Sequence, residues 1–192
     1  MIKTGIFGGS FNPIHKAHVR LARQLLASAG LDEVWFVVSP QNPLKREADL
    51  LDDDLRMKMV SMALENEPNL IACDYELHLP KPSYMWKTLQ SLASDYKERE
   101  FVLLIGADNW LCFDRWYAYQ KILDNYRIVI YPREGSPIDE SLLPKNVTLV
   151  NTELIDISST EIRERIRKSM PIDDIVPESV AYMIKRNGLY RN

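Results

Sequence analysis

Cysteine and long apolar runs are both scarce in this sequence of 192 residues. Its two cysteines, Cys73 and Cys112, lie in apolar stretches without CxxC spacing, which favours buried free thiols in a reducing compartment. The longest apolar run, 101–107, is far shorter than the ~20 residues that span a bilayer. The N-terminus lacks the apolar core and cleavage site of a signal peptide. We therefore expect a soluble, cytoplasmic protein without a membrane partner.

An excess of positive charge is also missing. The chain has 24 Lys and Arg against 27 Asp and Glu, a net charge of −3. Nucleic-acid binding favours a basic surface, so we expect no nucleic-acid partner. With 46% hydrophobic and 27% charged residues the composition is that of a globular protein. The length predicts one domain over 1–192, because domains usually have about 100–200 residues. The sequence is compatible with a homo-oligomer.

Predicted strands and helices alternate along the chain. Continuous apolar runs predict strands at 2–7, 34–38, 70–76, 101–105, 127–131 and 147–150. Helical periodicity and capping residues predict helices at 16–29, 52–66, 83–98, 113–124, 159–168 and 177–187. This alternation predicts an α/β fold with a doubly wound parallel sheet. The last residues, from about 157 to 192, are expected to form a small helical part on the same core.

The end of the first predicted strand has the features of an anion site. Residues 5–18 read GIFGGSFNPIHKAH, and Gly8 and Gly9 allow a sharp turn and close approach to a ligand. The loop leads into a helix N-terminus, which favours anions. His15 and His18 share one helical face. Neither a Rossmann GxGxxG nor a Walker A pattern is present. Two other interpretations of this segment remain: a plain turn, and a zinc site, for which the nearby sequence offers no third Cys or His ligand.

A second candidate phosphate site opens the helix predicted near residue 159. Ser158 and Glu161 have the spacing of a capping box, and Ile157 with Ile162 fits a hydrophobic staple. These features alone are compatible with a simple helix start. Three consecutive hydroxyls followed by Arg163 also suit a polyphosphate, because arginine can hold phosphate oxygens bidentately.

The two segments together resemble the nucleotidyltransferase superfamily. Residues 9–18 are similar to its G[ST]F[DN]PxHxGH signature, with Ala17 where glycine is usual, and 157–163 are similar to its IS[SA]TxIR motif. The resemblance implies that both histidines contact the phosphates of ATP and that Thr160 and Arg163 hold the β- and γ-phosphates. The residues implied in catalysis are His15, His18 and Arg163. Those implied in ATP binding are Gly8, Gly9, Ser10, Phe11, His15, His18, Gly106, Asp108, Ser158, Ser159, Thr160 and Arg163.

Further segments resemble the bacterial nicotinate-nucleotide adenylyltransferases, so the resemblance covers nearly the whole chain. Residues 82–89 are similar to a PSYTxxTL segment with Met85 in place of threonine, and 105–108 to an IGxD segment whose aspartate meets the ATP ribose. For Asp108 a simple helix N-cap is the alternative. Trp116 matches a tryptophan suited to stacking on a pyridine ring, and 188–190 match a C-terminal GLY. The residues implied in mononucleotide binding are Asn12, Lys45, Tyr84, Met85, Trp116 and Arg133.

This resemblance implies adenylyl transfer from ATP to nicotinate mononucleotide, with Mg²⁺ carried by ATP and no dedicated metal ligands. One alternative is another adenylyl- or cytidylyltransferase, such as the phosphopantetheine enzyme, which usually has threonine where His15 stands. A second alternative is a non-catalytic nucleotide-binding or regulatory domain. The presence of both histidines, Thr160 and Arg163 argues against a loss of catalysis.

Overall fold

A computed structural model describes residues 1–40 and 50–191, so Lys45 lies outside the described residues. Its centre is a sheet of six parallel strands in the order β3-β2-β1-β4-β5-β6. The strands are β1 (Ile2–Gly9), β2 (Glu33–Val38), β3 (Leu70–Cys73), β4 (Arg99–Gly106), β5 (Arg127–Tyr131) and β6 (Val147–Leu149). The predicted doubly wound α/β fold is confirmed.

Helices cover both faces of this sheet. They are α1 (Lys16–Ser28), α2 (Asp53–Leu64), α3 (Met85–Asp95), α4 (Ala107–Trp110), α5 (Tyr119–Asn125), α6 (Ser159–Arg167) and α7 (Glu178–Asn187). Alternate strand residues point to opposite faces, so Phe36 packs in a core with α1, α2, α6 and α7, whereas Trp35 packs in a core with α3 and α5. None of the helices in the described ranges is long and apolar enough to cross a membrane.

Two predicted elements differ from the structure. The helix predicted at 113–124 is a 3-10 helix, Phe113–Arg115, followed by α5, because Ala118 between them has a left-handed backbone with φ of 55°. The strand predicted at 70–76 ends at Cys73, and a 3-10 helix, Tyr75–His78, follows it. Both cysteines are free, but only Cys73 is buried.

The sheet order creates a crevice beside its first strand. β1 lies between β2 and β4, and the chain leaves β1 and β4 toward opposite sides of the sheet. Ligands of open parallel sheets bind at such a switch point, outside the carboxyl ends of the strands. Here Gly9 ends β1 and Gly106 ends β4, so the residues after these glycines form the candidate site.

Candidate active site

The two motif histidines stack on each other at the start of α1. Their rings lie 3.6 Å apart at an interplanar angle of 22°. The His15 backbone N–H donates to Nδ1 of His18 over 3.2 Å, and the Phe11 ring meets His18 edge-on with centroids 5.1 Å apart. Because Nδ1 of His18 accepts this bond, its neutral ring carries the proton on Nε2, where it can serve as a donor.

His15 is buried more deeply than His18, with an exposed fraction of 4%. Burial, and to a lesser extent the charge of Arg133, lower the pKa of His15 to about 3. The imidazole is therefore neutral near physiological pH. A neutral ring can still donate one hydrogen bond to an anion, so the predicted contact with phosphate does not require an imidazolium.

The hydroxyls at the start of α6 have separate tasks. Ser158 Oγ accepts from the Glu161 N–H over 3.1 Å, whereas the Glu161 carboxylate pairs with Arg165 at 2.7 Å instead of closing the predicted capping box. Ser159 Oγ donates to the Pro13 carbonyl over 2.9 Å. Ser158 thus caps the helix and Ser159 links it to the histidine loop.

Arg163 joins the second motif to the first. Its Nη1 donates to the Asn12 carbonyl over 2.8 Å, and its Nη2 donates to Thr160 Oγ1 over 3.3 Å. Its buried Nε has no hydrogen-bond partner among residues 1–40 and 50–191. The guanidinium is therefore held in place next to the histidine loop, with donor capacity that a ligand oxygen can use.

The side chain of Asn12 ties the loop to the rest of the fold. Its Oδ1 accepts from the Leu51 N–H over 3.2 Å and from the Tyr190 hydroxyl over 2.8 Å. The GLY match at 188–190 contained Tyr190, but nothing in the sequence pairs it with Asn12. This oxygen is already occupied, so direct binding of the mononucleotide by Asn12 stays a prediction.

Arg56 is a structural residue of the site that sequence reasoning missed. It is fully buried, and it donates to the carbonyls of Ser10 at 2.6 Å, Ser39 at 2.9 Å and Leu51 at 2.8 Å. Its helical spacing with Met59 and Val60 could have indicated this role, because that spacing places a charged residue on the buried face of α2. Arg56 fixes the ends of β1 and β2 relative to each other.

The end of β4 carries a close-packed ionic pair. Arg133 Nε lies 3.5 Å from Asp108 Oδ1, and both side chains are half exposed. A Cβ added at Gly106 would lie 2.4 Å from the same Asp108 oxygen and 3.0 Å from Arg133 Cγ, so this pair would have to shift to admit a side chain at position 106. The N-cap of α4 is Gly106, hence the N-cap interpretation of Asp108 is wrong.

Most predicted ATP-binding residues line one cavity of about 460 Å³, which we call the phosphate cavity. Its lining includes Gly8, Gly9, Ser10, Phe11, Asn12, His15, His18, Asp108, Arg133, Ser158, Ser159, Thr160 and Arg163. A cavity of about 540 Å³ shares its histidines and continues along 153–158. Arg133 thus lies among the predicted ATP contacts.

A third cavity of about 370 Å³, which we call the apolar cavity, is lined by Tyr84, Met85 and Trp116. Gly8, Gly9 and Ser10 line both the phosphate cavity and the apolar cavity, so these two meet at the loop after β1. Trp116 is half-buried, and its Nε1 has no partner within the described ranges. The structure therefore brings the predicted pyridine contacts together, next to the predicted phosphate contacts.

Comparison with known proteins identifies the family. The model of cytidylyltransferase-like proteins matches residues 6–165. A probable nicotinate-nucleotide adenylyltransferase of Bacteroides fragilis is 51% identical over 164 residues, which cover 85% of this chain and 82% of the relative. The chain belongs to the nicotinate-nucleotide adenylyltransferase family. A further probable member, from Cytophaga hutchinsonii, is 40% identical over 191 residues and matches 100% of both chains.

Solved structures agree with this family in fold. The Plasmodium falciparum nicotinic acid mononucleotide adenylyltransferase complexed with NaAD superimposes with a TM-score of 0.83. The match covers 99% of this chain and 98% of that structure, at 23% identity. A putative nicotinate-nucleotide adenylyltransferase from Vibrio parahaemolyticus gives 0.74 at 22% identity, covering 100% and 97% of the two chains. At these identities the likeness concerns the fold alone.

Proposed function

We propose that this member of the family transfers the adenylyl group of ATP to nicotinate mononucleotide, releasing pyrophosphate and nicotinate adenine dinucleotide. The observation that carries the proposal is the meeting of the two cavities at Gly8–Ser10. One cavity has the histidines and Arg163 that suit a polyphosphate, and the other has aromatic walls that suit a pyridine ring. A ligand phosphate at the shared loop faces both.

The reaction needs no nucleophile from the protein. An anionic oxygen of the mononucleotide phosphate attacks the α-phosphorus of ATP, and the bond from that phosphorus to the bridging oxygen of the β-phosphate breaks. Pyrophosphate leaves with that oxygen and its electron pair. Catalysis then consists of positioning the two phosphates and stabilising charge on the transferring and leaving groups.

The geometry suggests a role for each side chain. His18, and behind it His15, donate to the α-phosphate, while Thr160 and Arg163 hold the outer phosphates. Asp108 receives the ribose of ATP, and the adjacent Arg133 adds positive charge beside the transferring phosphate. The main chain of 8–11 approaches the phosphates closely because Gly8 and Gly9 have no side chains.

The metal that accompanies ATP in this reaction would be bound by the nucleotide and not by a dedicated protein site. No three His, Cys, Asp or Glu side chains come together in the described ranges 1–40 and 50–191 to form a metal site. We propose Mg²⁺, held by phosphate oxygens and water, because it dehydrates reluctantly and needs few protein ligands. When bound, it neutralises phosphate charge.

Pyrophosphate release tests the proposed function. The purified protein is supplied with Mg-ATP and, in separate reactions, nicotinate mononucleotide, nicotinamide mononucleotide or phosphopantetheine. We expect the fastest release with nicotinate mononucleotide. Faster release with phosphopantetheine would identify a different nucleotidyltransferase, and no release with any acceptor would favour a binding domain without catalysis.

The preference for the acid over the amide is predicted to be about tenfold to about 100-fold in kcat/KM near neutral pH. Main-chain N–H groups near Tyr84 and Met85 suit a carboxylate, which only accepts hydrogen bonds. One hydrogen bond to a charged group contributes about 1.5–3 kcal/mol, and about 1.4 kcal/mol corresponds to tenfold. Kinetics with both mononucleotides at saturating Mg-ATP measure the ratio; equal values contradict this prediction.

Trp116→Ala should weaken both mononucleotides by a similar factor and leave the ratio between them intact. Both ligands present a cationic pyridinium face to the indole, and such contacts contribute about 0.5–2 kcal/mol. The matched control is Trp86→Ala, since Trp86 packs against Tyr126 and does not line the apolar cavity. A changed ratio with Trp116→Ala, or equal losses in both variants, would refute the stacking role.

A further inference from the structure

A buried acid lies in the wall of the apolar cavity. Glu76, in the 3-10 helix Tyr75–His78, lines this cavity with an exposed fraction of only 3%. Its Oε2 has no hydrogen-bond partner among the residues that the structure describes. Phosphate transfer gives this carboxyl no task, yet burying it without a charged partner is unfavourable.

Hydroxyl groups connect Glu76 to the segment proposed to bind the pyridine substituent. The side chains of Ser83 and Thr88 hydrogen-bond to the Glu76 carboxyl. Thr88 Oγ1 also donates to the Tyr84 carbonyl over 3.3 Å. Thr88 therefore connects the Glu76 carboxyl with the main chain of Tyr84.

The burial of Glu76 favours its protonated form. Burial raises the pKa of Glu76 to about 7, and the hydrogen bonds from Ser83 and Thr88 offset only part of this effect. Protonated and ionised forms are then both populated near neutral pH. In the ionised form a negative charge stands in the wall of the cavity, where it repels a substrate carboxylate but not a carboxamide.

We propose that Glu76 sets the preference of the apolar cavity for the acid mononucleotide. In its protonated form Glu76 holds the Ser83–Met85 segment in place through its contacts with Ser83 and Thr88. In its ionised form its negative charge repels the substrate carboxylate. Glu76 is thus a specificity-determining residue that acts through the wall of the cavity. This inference rests on the proposed function.

Other ionisable groups around Glu76 are distinguishable from it. His78 on its helix pairs with Asp74, which precedes that helix, in an exposed pair with atoms 3.0 Å apart. Lys81, in the loop before α3, pairs with Asp53 at 3.2 Å. Burial raises the pKa of Tyr131 to about 12. Among the residues that the structure describes, the other charged or titratable side chains that line the cavity, or stand over its tyrosines, are Tyr84, Tyr117, Arg115 and Lys87.

The test is the pH dependence of the acid-to-amide ratio. kcat/KM is measured for both mononucleotides at saturating Mg-ATP, between about pH 6 and about pH 8.5. Both substrates carry the same phosphate, so its titration cancels in the ratio. For the wild type we expect the ratio to fall about tenfold as the pH rises through the range in which a buried carboxyl ionises.

Variants separate Glu76 from its neighbours. Glu76→Gln should give a ratio that no longer changes with pH, because the amide stays neutral. Glu76→Ala should raise KM for both mononucleotides but not for ATP, since the support of Ser83 and Thr88 is lost. His78→Gln is the matched control on the same helix and should retain the wild-type profile.

The outcomes are distinct for the two proposals. An acid-to-amide ratio that does not change with pH in the wild type overturns the role of Glu76, even if Glu76→Gln does not fold. A ratio for Glu76→Gln that changes with pH in parallel with the wild type overturns it as well. Wild-type protein that adenylylates neither mononucleotide instead overturns the proposed function, and the role of Glu76 with it.

Discussion

Replacing His18 with alanine is expected to lower kcat by about 10²–10³-fold, the usual cost of removing one preorganised donor to a developing charge. The Kd for ATP should change far less. Nδ1 of His18 is held by the His15 backbone N–H, and its ring is fixed between His15 and Phe11. The donor on the opposite nitrogen therefore needs little reorganisation when the charge on the α-phosphate redistributes.

The measurement separates chemistry from binding. Single-turnover rates and the Kd for ATP are compared for the wild type and His18→Ala, because a loss confined to kcat marks an interaction made in the transition state. His78→Ala is the matched control, since the third histidine is exposed and pairs only with Asp74 among its described ion pairs. A kcat of His18→Ala within about threefold of the wild type would rule out the role, since that change amounts to less than about 1 kcal/mol.

His18→Gln gives a second test of the same donor. A glutamine side chain offers an N–H near the position of Nε2 but lacks the aromatic contacts with His15 and Phe11. We expect its kcat to lie between those of the wild type and the alanine variant. If His18→Ala and His18→Gln lose thermal stability to the same extent and have the same kcat as each other, the N–H of the glutamine has restored nothing. The ring then serves packing and not catalysis.

The sequence contained enough information for the fold and for both phosphate motifs. Apolar runs located all six strands because buried parallel strands need continuous hydrophobic segments. Gly8, His18 and Arg163 could be placed at one site because the carboxyl end of β1 and the start of α6 have local signatures. These signatures depend on neighbours in the chain, which is the information a single sequence presents directly.

Long-range support of the site could not be predicted in the same way. The hydrogen bond from Tyr190 to Asn12 joins residues 178 positions apart, and no local pattern pairs one with the other. The left-handed backbone at Ala118 likewise interrupts a segment with helical periodicity, although alanine favours helix. Neither feature follows from propensity or from the spacing of residues along the chain.

Arg163 should be the second residue whose loss has a large effect. Arg163→Ala is expected to reduce kcat/KM for ATP by about 10²–10⁴-fold, because two charge-assisted hydrogen bonds contribute about 1.5–3 kcal/mol each. Arg163→Lys should recover only part of this loss. A lysine ammonium keeps the charge but cannot hold two oxygens in the planar geometry of a guanidinium.

The structure also predicts how these variants affect the loop. Arg163 Nη1 donates to the Asn12 carbonyl, but this loop is held independently by Tyr190 on the Asn12 side chain and by Arg56 on the Ser10 carbonyl. We therefore expect the thermal unfolding midpoint of Arg163→Lys to fall only slightly while its use of ATP is clearly impaired. A large loss of stability with normal kinetics of the folded fraction would indicate that Arg163 only supports the fold.

A matched control lies on the same helix. Arg165 pairs with Glu161 and Asp174 on the surface, away from both cavities. Arg165→Lys makes the same chemical change two positions along α6, and exposed ion pairs of this kind contribute little to stability. We expect its kcat/KM for ATP to equal that of the wild type. If Arg163→Lys is impaired and Arg165→Lys is not, the effect comes from the position of the Arg163 guanidinium between the two motifs and not from the loss of an arginine in general.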